Sequence, residues 1–368
     1  MGMVSASWAE DEMGPATVVF LRPCPGVGAV VVIDNVALGP AIGGVRMRRD
    51  VGAGEVARLA RAMSVKNALA GLPHGGAKAG IAAPPDLAPA EHERVMRAFA
   101  QAMGQLGDYI PGPDMGTDET SMGYVYDEIG RAVGRPDVLG GIPLDELGAT
   151  GFGLAVCAQV LSEAKAAELA GARVVVQGFG AVGSHAARAL AERGATVIAV
   201  SDIGGATWNP DGLDVAALMA HKADGPVAGF ARGMSVPRDD ILGMDCEILV
   251  LAAQPDVLTI ANAGKVSARV ILEGANIPIT AEAEAELGAR GVLCIPDVVA
   301  NAGGVICAAA EYRGAGRAEA FAEIEEKIRD TTSELLERTR DGTLAPRAAA
   351  RQMAHRRLGK ALALRRTF

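Results

Sequence analysis

Several features that would mark other classes of protein are scarce in this sequence. Its five cysteines, Cys24, Cys157, Cys246, Cys294 and Cys307, are widely spaced, with no Cys-x-x-Cys pair and no histidine-rich cluster beside them. That disfavours a zinc site or a disulfide framework and fits a reducing, cytoplasmic setting. No run of about 18 uninterrupted apolar residues occurs, and residues 1–15 are polar and acidic, so neither a membrane span nor a secretion signal is expected. Excess positive charge is also lacking. A net charge of −9 argues against general binding to nucleic acid or to an anionic membrane. The basic tail, with Arg351, Arg356, Arg357, Lys360, Arg365 and Arg366, reads as the solvated face of a terminal helix.

At 368 residues, half of them hydrophobic and 21 % charged, the chain is long enough for two domains, each with its own core. The 47 glycines gather at turns rather than in repeats. Residues Thr17–Leu21 and Ala29–Ile33 read as strands separated by Pro23, Pro25 and Gly26. Gly26-Val-Gly28 is not a dinucleotide loop, because a strand follows it rather than a helix. Gly43-Gly44 and Gly75-Gly76 sit in stretches that read as loops allowing close backbone approach. Between them an amphipathic helix spans Glu55 to Ala70, with Leu59, Met63 and Lys66 on one face.

Lys66 therefore falls on an apolar stripe. There a lysine either snorkels to the edge or has a partner. Lys78 follows the second glycine pair. Two such lysines suit a fixed cation for a substrate carboxylate and a lysine whose pKa is lowered for acid–base work. A helix from about Pro89 to Leu106 precedes the loop Tyr109–Asp118, which carries two carboxylates. Asp118 suits a helix cap, leaving Asp114 as the functional carboxylate.

Residues 140–153 read as a connector opening a long helix to about Leu169, and the domain boundary is placed here. Beyond it strands and helices alternate, the mark of a parallel sheet. Strand Arg173–Gln177 runs into Gly178-Phe179-Gly180-Ala181-Val182-Gly183, then a helix to Arg193, then strand Thr196–Ser201 ending on Asp202. Three glycines between strand and helix, with an acid about 20 residues on, form a dinucleotide-binding fingerprint. The glycines admit a pyrophosphate to the helix N-terminus. Asp202 would accept from a ribose 2′-hydroxyl and repel a 2′-phosphate, favouring NAD over NADP. Strands Glu247–Leu251, Arg269–Leu272 and Val292–Ile295 follow. Asn276 and Asn301, in the turns near their ends, are either turn formers or hydrogen-bonding partners of nicotinamide or substrate. An amphipathic helix over Glu319–Arg340 is expected to return towards the first domain, making a cleft for the substrate.

With these motifs in view the chain resembles the glutamate/leucine/phenylalanine/valine dehydrogenases, from Gly39 to about Tyr312. The likeness rests on Gly43-Gly44-Val-Arg46, Lys66-Asn67, Gly75-Gly-Ala-Lys78, Asp114-Met-Gly116, Ala149-Thr150-Gly151, the glycine loop at 178–183, Glu273-Gly-Ala-Asn276 and Asn301-Ala-Gly-Gly304. The resemblance implies an α/β fold of two domains. A substrate-binding and oligomerisation domain would span residues 1–145, joined by C-terminal helices over 331–368. A Rossmann-type NAD-binding domain would span 146–330. The implied reaction is reversible oxidative deamination of an L-amino acid to a 2-oxo acid and ammonia by a homo-oligomer.

Carried over, Lys66 would hold the α-carboxylate beside Gly43 and Gly44, Lys78 would activate water, and Asp114 would shuttle protons at the nitrogen. Thr150, Asn276 and Asn301 would line the nicotinamide and the α-carbon. Glutamate-specific members carry a lysine just before the first glycine pair and a serine seven residues after the asparagine of Asn-Ala-Gly-Gly. Here those places hold Ile42 and Ala308, and burying a second carboxylate unpaired would be costly. An apolar substrate is therefore expected, branched or aromatic, with glutamate as the alternative. The short N-terminal region looks like the leucine and phenylalanine members. The stretch from Asp202 to Leu272 looks more like the glutamate members.

Overall fold

The first two expected strands form a hairpin. β1 (Thr17–Cys24) and β2 (Val27–Asn35) pair antiparallel around Pro25-Gly26, where Gly26 adopts φ +81°. The structure, a computed structural model, describes residues 11–364; Arg365 and Arg366 of the basic tail, and residues 1–10 of the acidic N-terminal stretch, lie outside the described residues. Three further strands occupy segments whose glycines and prolines read as loops: β3 (Ala41–Met47), β4 (Gly75–Ala82) and β5 (Tyr109–Pro113). The sheet order is β1-β2-β4-β3-β5, with β3 parallel to both β4 and β5. Pro111 and Pro113 are tolerated because β5 is an edge strand. The glycines serve closeness rather than turning. A Cβ on Gly43 would lie 1.6 Å from the Ala77 carbonyl oxygen, and one on Gly75 would lie 1.7 Å from that of Asn35.

Strand alternation then sorts the side chains. Val30 and Val32 of β2 pack with Val56 and Ala60 of helix α1 (Ala53–Leu69). On the opposite face Val31, Val45, Ala77 and Ile81 meet α2 (Pro89–Met103) and α3 (Glu119–Ile129) through Met96, Phe99 and Met122. Ile42, Gly44, Arg46 and Lys78 alternate to the α1 side. α1 differs in detail from its sequence pattern: Leu59 and Met63 are only half-buried, and burial concentrates on Val56, Ala60 and the last turn from Ser64 to Leu69. Asp118 caps α3 as expected, accepting from the Ser121 amide at 2.8 Å.

The second sheet follows the short α4 (Leu144–Leu147) and α5 (Ala149–Glu163), which stops six residues before Leu169. The span Leu144–Glu163 is long and apolar enough to cross a membrane by composition, but 67 % of its most apolar window is buried, as in a core helix. β6 (Arg173–Gln177), α6 (Ala181–Glu192) and β7 (Thr196–Asp202) match the fingerprint. Then come β8 (Gly205–Trp208), α7 (Val215–Asp224), β9 (Met234–Val236), β10 (Ile248–Leu251) and β11 (Val270–Glu273). α8 (Ala281–Ala289), β12 (Leu293–Ile295), α9 (Asp297–Ala300), α10 (Gly303–Tyr312), α11 (Arg317–Thr339) and α12 (Pro346–Leu362) complete the chain.

The strand order is β12-β11-β10-β6-β7-β8-β9. The first five run parallel, a doubly wound arrangement whose order reverses between β6 and β10. β8 and β9 are antiparallel additions that the sequence pattern missed, because neither is the buried apolar run that marks β10 and β11 and β9 is largely exposed.

By internal contacts the chain divides into two units. The first holds the described residues up to Leu144, Val305–Glu323 and those from Arg351 onward; the second holds Asp145–Gly304 and Ile324–Ala350. Residues 331–350, expected with the first domain, thus cluster with the second. Arg347 shows why: its guanidinium binds carboxylates of the second sheet, as described below.

Candidate active site

In the first unit the α1 face of the sheet carries a compact charged group. Lys78 Nζ lies 3.1 Å from Asp114 Oδ1, with the lysine side chain 7 % and the aspartate 15 % exposed. Gly44 stands between the strands that hold them. A Cβ there would come 2.7 Å from the Asp114 Cβ and 3.0 Å from Lys78 Nζ. Two residues along β3, and so on the same face, Arg46 donates through Nε to Asp114 Oδ2 at 2.8 Å and through Nη1 to Glu55 Oε1 at 2.7 Å. Burial alone would raise the Asp114 carboxyl, but the charges of Lys78 and Arg46 outweigh it and hold it below the usual carboxylate range. The Asp114 amide donates to Thr117 Oγ1 at 3.0 Å, and that hydroxyl donates to the Val45 carbonyl at 2.8 Å, fixing the loop to β3. Tyr109, fully buried on β5, donates its hydroxyl to the Gly43 carbonyl at 3.0 Å.

Lys66 is buried in the last turn of α1. Its neighbour Asn67 donates to the Gly75 carbonyl at 2.6 Å, tying the helix end to the start of β4. His74 is buried with Nδ1 2.9 Å from the Pro40 carbonyl, and burial holds its pKa below the usual imidazole range. It braces the segment leading into Ile42-Gly43-Gly44. Ile42 is buried on β3, and Ala308 is buried in α10. The Arg46–Asp114 pair was missed by sequence reasoning. The signal was present: Gly44 and Arg46 share a strand face, but only once that stretch is read as a strand.

In the second unit Gly178 adopts φ +95°, and the Phe179 amide donates to the Ser201 carbonyl at 2.7 Å. A Cβ on Gly183 would lie 1.7 Å from the Gly178 carbonyl oxygen, so this glycine lets α6 pack against the turn. Gly180 is the N-cap of α6, makes no side-chain cap bond and has open space around its Cβ position. Ala181 is exposed and Val182 half-buried on the first turn. A cavity of about 580 Å³ lies alongside, lined among others by Gln177, Gly178, Asp202, Ile203 and Ala253. An open helix N-terminus next to such a cavity fits the pyrophosphate and adenosine of a dinucleotide.

Asp202 ends β7 as expected, but its carboxylate is already engaged. Oδ2 meets Lys222 Nζ at 2.5 Å and the Val227 amide at 3.0 Å, while Oδ1 accepts from the Gly204 amide at 2.8 Å. Burial opposes ionisation, yet Lys222 and the two amides hold the carboxyl below its usual range. Its negative charge is thus largely compensated, and repulsion of a 2′-phosphate is weaker than the sequence implied.

The loops after β11 and β12 come together. Asn301 Nδ2 donates to the Gly274 carbonyl at 3.3 Å and to Asn276 Oδ1 at 3.2 Å. Asn301 Oδ1 is buried and has no hydrogen-bond partner among the described residues, an acceptor suited to an N–H of a bound group. Gly303 packs against the start of α5, where its Cβ position is 3.2 Å from Thr150 Cα. Beneath these loops Arg347 donates to both oxygens of Glu273 at 2.6 Å, to Glu284 at 2.6 Å and to Asp297 at 2.9 Å. Asp297 in turn accepts from the Ile277 amide at 3.1 Å. Burial, with Asp297 and Glu284 nearby, outweighs Arg347 and pushes the Glu273 carboxyl up to about 8.

A charged cluster on one sheet and a glycine turn of the dinucleotide-binding kind on the other fit the class of two-domain α/β oxidoreductases. Comparison with known families narrows it. Residues 140–366 match the Glutamate/Leucine/Phenylalanine/Valine dehydrogenase model, and residues 25–131 match the Glu/Leu/Phe/Val dehydrogenase dimerisation domain. The chain belongs to this family of amino acid dehydrogenases.

It is 41 % identical over 292 residues to a glutamate dehydrogenase of Aeropyrum pernix, covering 76 % of this chain and 70 % of that one. It is 40 % identical over 292 residues to an NADP-specific glutamate dehydrogenase of Saccharolobus shibatae, covering 76 % and 69 %. Among solved structures, a hetero-hexameric glutamate dehydrogenase of Thermus thermophilus in a leucine-bound form superposes with a TM-score of 0.87 at 32 % identity. That match covers 96 % of this chain and 91 % of the other.

Proposed function

We propose that the chain catalyses reversible oxidative deamination of an L-amino acid to the 2-oxo acid and ammonia. The observation that carries this reading is the buried Lys78–Asp114 contact of 3.1 Å beside Gly44. Lys66 holds the α-carboxylate. Asp114, kept ionised by its two cations, takes a proton from the substrate nitrogen. Once Lys78 has given up its own proton, its amine takes one from the water that adds to the imine carbon and steadies the oxygen that forms, while Asp114 returns its proton to the nitrogen that leaves as ammonia. The bound nicotinamide supplies the acceptor for the α-hydrogen as hydride. Thr150, Asn276 and the open Asn301 Oδ1 are the groups of the second unit that hold its ring, and Gly178–Gly183 hold the pyrophosphate. NAD is the proposed coenzyme, with NADP also admissible because Lys222 offsets Asp202. The enzyme works in the cytoplasm as an assembly of like chains, a reading supported by the match to a dimerisation domain.

For the substrate, the relatives at 40 % and 41 % identity favour L-glutamate over the apolar amino acid expected from the sequence. The apolar reading keeps one specific observation in its favour. Ile42 lies on the same β3 face as Gly44 and Arg46, where a cation would be needed to meet a second carboxylate. The test is coenzyme reduction at alkaline pH with L-glutamate, L-leucine, L-valine and L-phenylalanine in parallel, beside Lys78→Ala and Ile42→Lys. Turnover of glutamate alone supports the first reading. Turnover of an apolar substrate, with glutamate activity gained on Ile42→Lys, supports the second. No turnover on any of the four, or full activity in Lys78→Ala, refutes the reaction assignment.

A further inference from the structure

We propose that Arg46 is a positioning residue for the proton-shuttling carboxylate, with Glu55 as the clamp that sets its orientation. This rests on the dehydrogenase reading above and adds a residue to it. The Arg46 side chain is 11 % exposed, and its guanidinium bridges two carboxylates in different elements: Asp114, just past β5, through Nε at 2.8 Å, and Glu55, in the first turn of α1, through Nη1 at 2.7 Å. Glu55 is held in turn by Arg48, whose Nη2 reaches Oε2 at 2.7 Å. A planar guanidinium fixed at two edges cannot rotate without breaking one bond.

Asp114 thus has one oxygen committed to Arg46, while the other faces Lys78 at 3.1 Å. That division of labour matters for a proton shuttle. The oxygen beside Lys78 is the one left for chemistry, and Arg46 makes the choice between the two. Gly44 lies between, where any side chain would meet both Asp114 and Lys78.

Among the described residues, several elements bring charged or titratable groups to Asp114. β4 contributes Lys78, β3 contributes Arg46, and α1 contributes Glu55, which reaches Asp114 through Arg46. β5 contributes Tyr109, whose hydroxyl is spent on Gly43 and whose pKa burial raises further, helped by the charge of Asp114. The α3 side contributes Asp118, occupied by Ser121. Two cations, Arg46 and Lys78, hold Asp114 ionised; removing Arg46 leaves it paired with Lys78, the group that must itself exchange protons.

The test follows the Asp114 carboxyl directly. ¹³C NMR of aspartate-labelled protein, with the signal assigned by its absence from Asp114→Asn, gives its titration in wild type, Arg46→Gln and Arg46→Lys. Loss of the cation is expected to move the titration up by about one unit or more, the usual effect of an adjacent opposite charge. The lysine variant, which keeps charge without the fork, should shift it less. Steady-state kinetics of Arg46→Gln should show kcat down by about tenfold to a hundredfold, the scale of a general acid–base contribution. KM for the amino acid and the affinity for coenzyme should stay within about twofold of wild type, and Arg46→Lys should recover part of kcat.

An Asp114 titration unmoved in both variants overturns the proposal. So does a loss confined to a lower unfolding temperature with unchanged kcat in the protein that remains folded. The NMR readout needs no substrate, so it stands apart from the choice of amino acid. Full turnover by Asp114→Asn would overturn the catalytic reading and the kinetic half of this inference together.

Discussion

Replacing Arg347 with methionine would leave Glu273, Glu284 and Asp297 without the guanidinium they share. The three carboxylates are 0 %, 13 % and 4 % exposed, and Arg347 itself is 18 % exposed, so water cannot take over its role. Removing one partner of a buried ionic group costs about 3–5 kcal/mol, because uncompensated charge is left behind. At roughly 2–4 °C per kcal/mol for a unit of this size, the unfolding transition should fall by about 6–20 °C near pH 8.

The pH dependence has a definite sign. The Glu273 carboxyl, at about 8 in the folded protein against an ordinary value of 4.5, takes up a proton on folding between those values. Its contribution is therefore most favourable below about pH 4.5 and is lost as pH rises through about 8. Without Arg347 the carboxyl titrates higher still, so the gap between variant and wild type should stay nearly flat from pH 5 to about pH 7 and widen from there to pH 9. Calorimetry of both proteins across that range measures it. A loss below about 1 kcal/mol, or a gap that does not change with pH, would refute the reasoning.

Two further outcomes follow from local geometry. Gly44→Ala places a methyl group 2.7 Å from the Asp114 Cβ and 2.9 Å from the Pro113 carbonyl oxygen. Displacement of the reacting groups should cut kcat by about a hundredfold, with coenzyme affinity unchanged by titration calorimetry; near-normal turnover would contradict it. Lys222→Ala removes the cation 2.5 Å from Asp202 and restores its repulsion of a 2′-phosphate. The ratio of kcat/KM for NADP over NAD should fall by about tenfold, or about 1.4 kcal/mol, and an unchanged ratio would show that Lys222 does not govern the choice.

The second unit was the more legible in the sequence. Arg173–Gln177, the glycine turn and Asp202 carry a pattern of strand, turn, helix and strand, in which each residue type has a local physical reason. The first unit was harder. Three of its five strands were hidden because glycine and proline usually signal turns, whereas here they admit neighbouring backbone at distances no side chain allows. Lys66, Lys78 and Asp114 stood out as titratable residues in unusual settings. Their arrangement did not. Arg46 joins Asp114 across 68 residues of sequence, and Arg347 joins Glu273 across 74; no local pattern reports such pairs.

The alternation along β3 leaves one of its three α1-facing positions free of the contacts that fix the other two. On the face that looks towards α1, Gly44 is held small by the groups on either side, and Arg46 is held by two ion pairs. Ile42 is bound by neither constraint. On the proposed reading, a lineage or a designer wishing to change which side chain is accepted would rewrite that one residue while the proton-handling group beside it stayed intact. Selectivity and chemistry would then be kept in separate letters of one short strand.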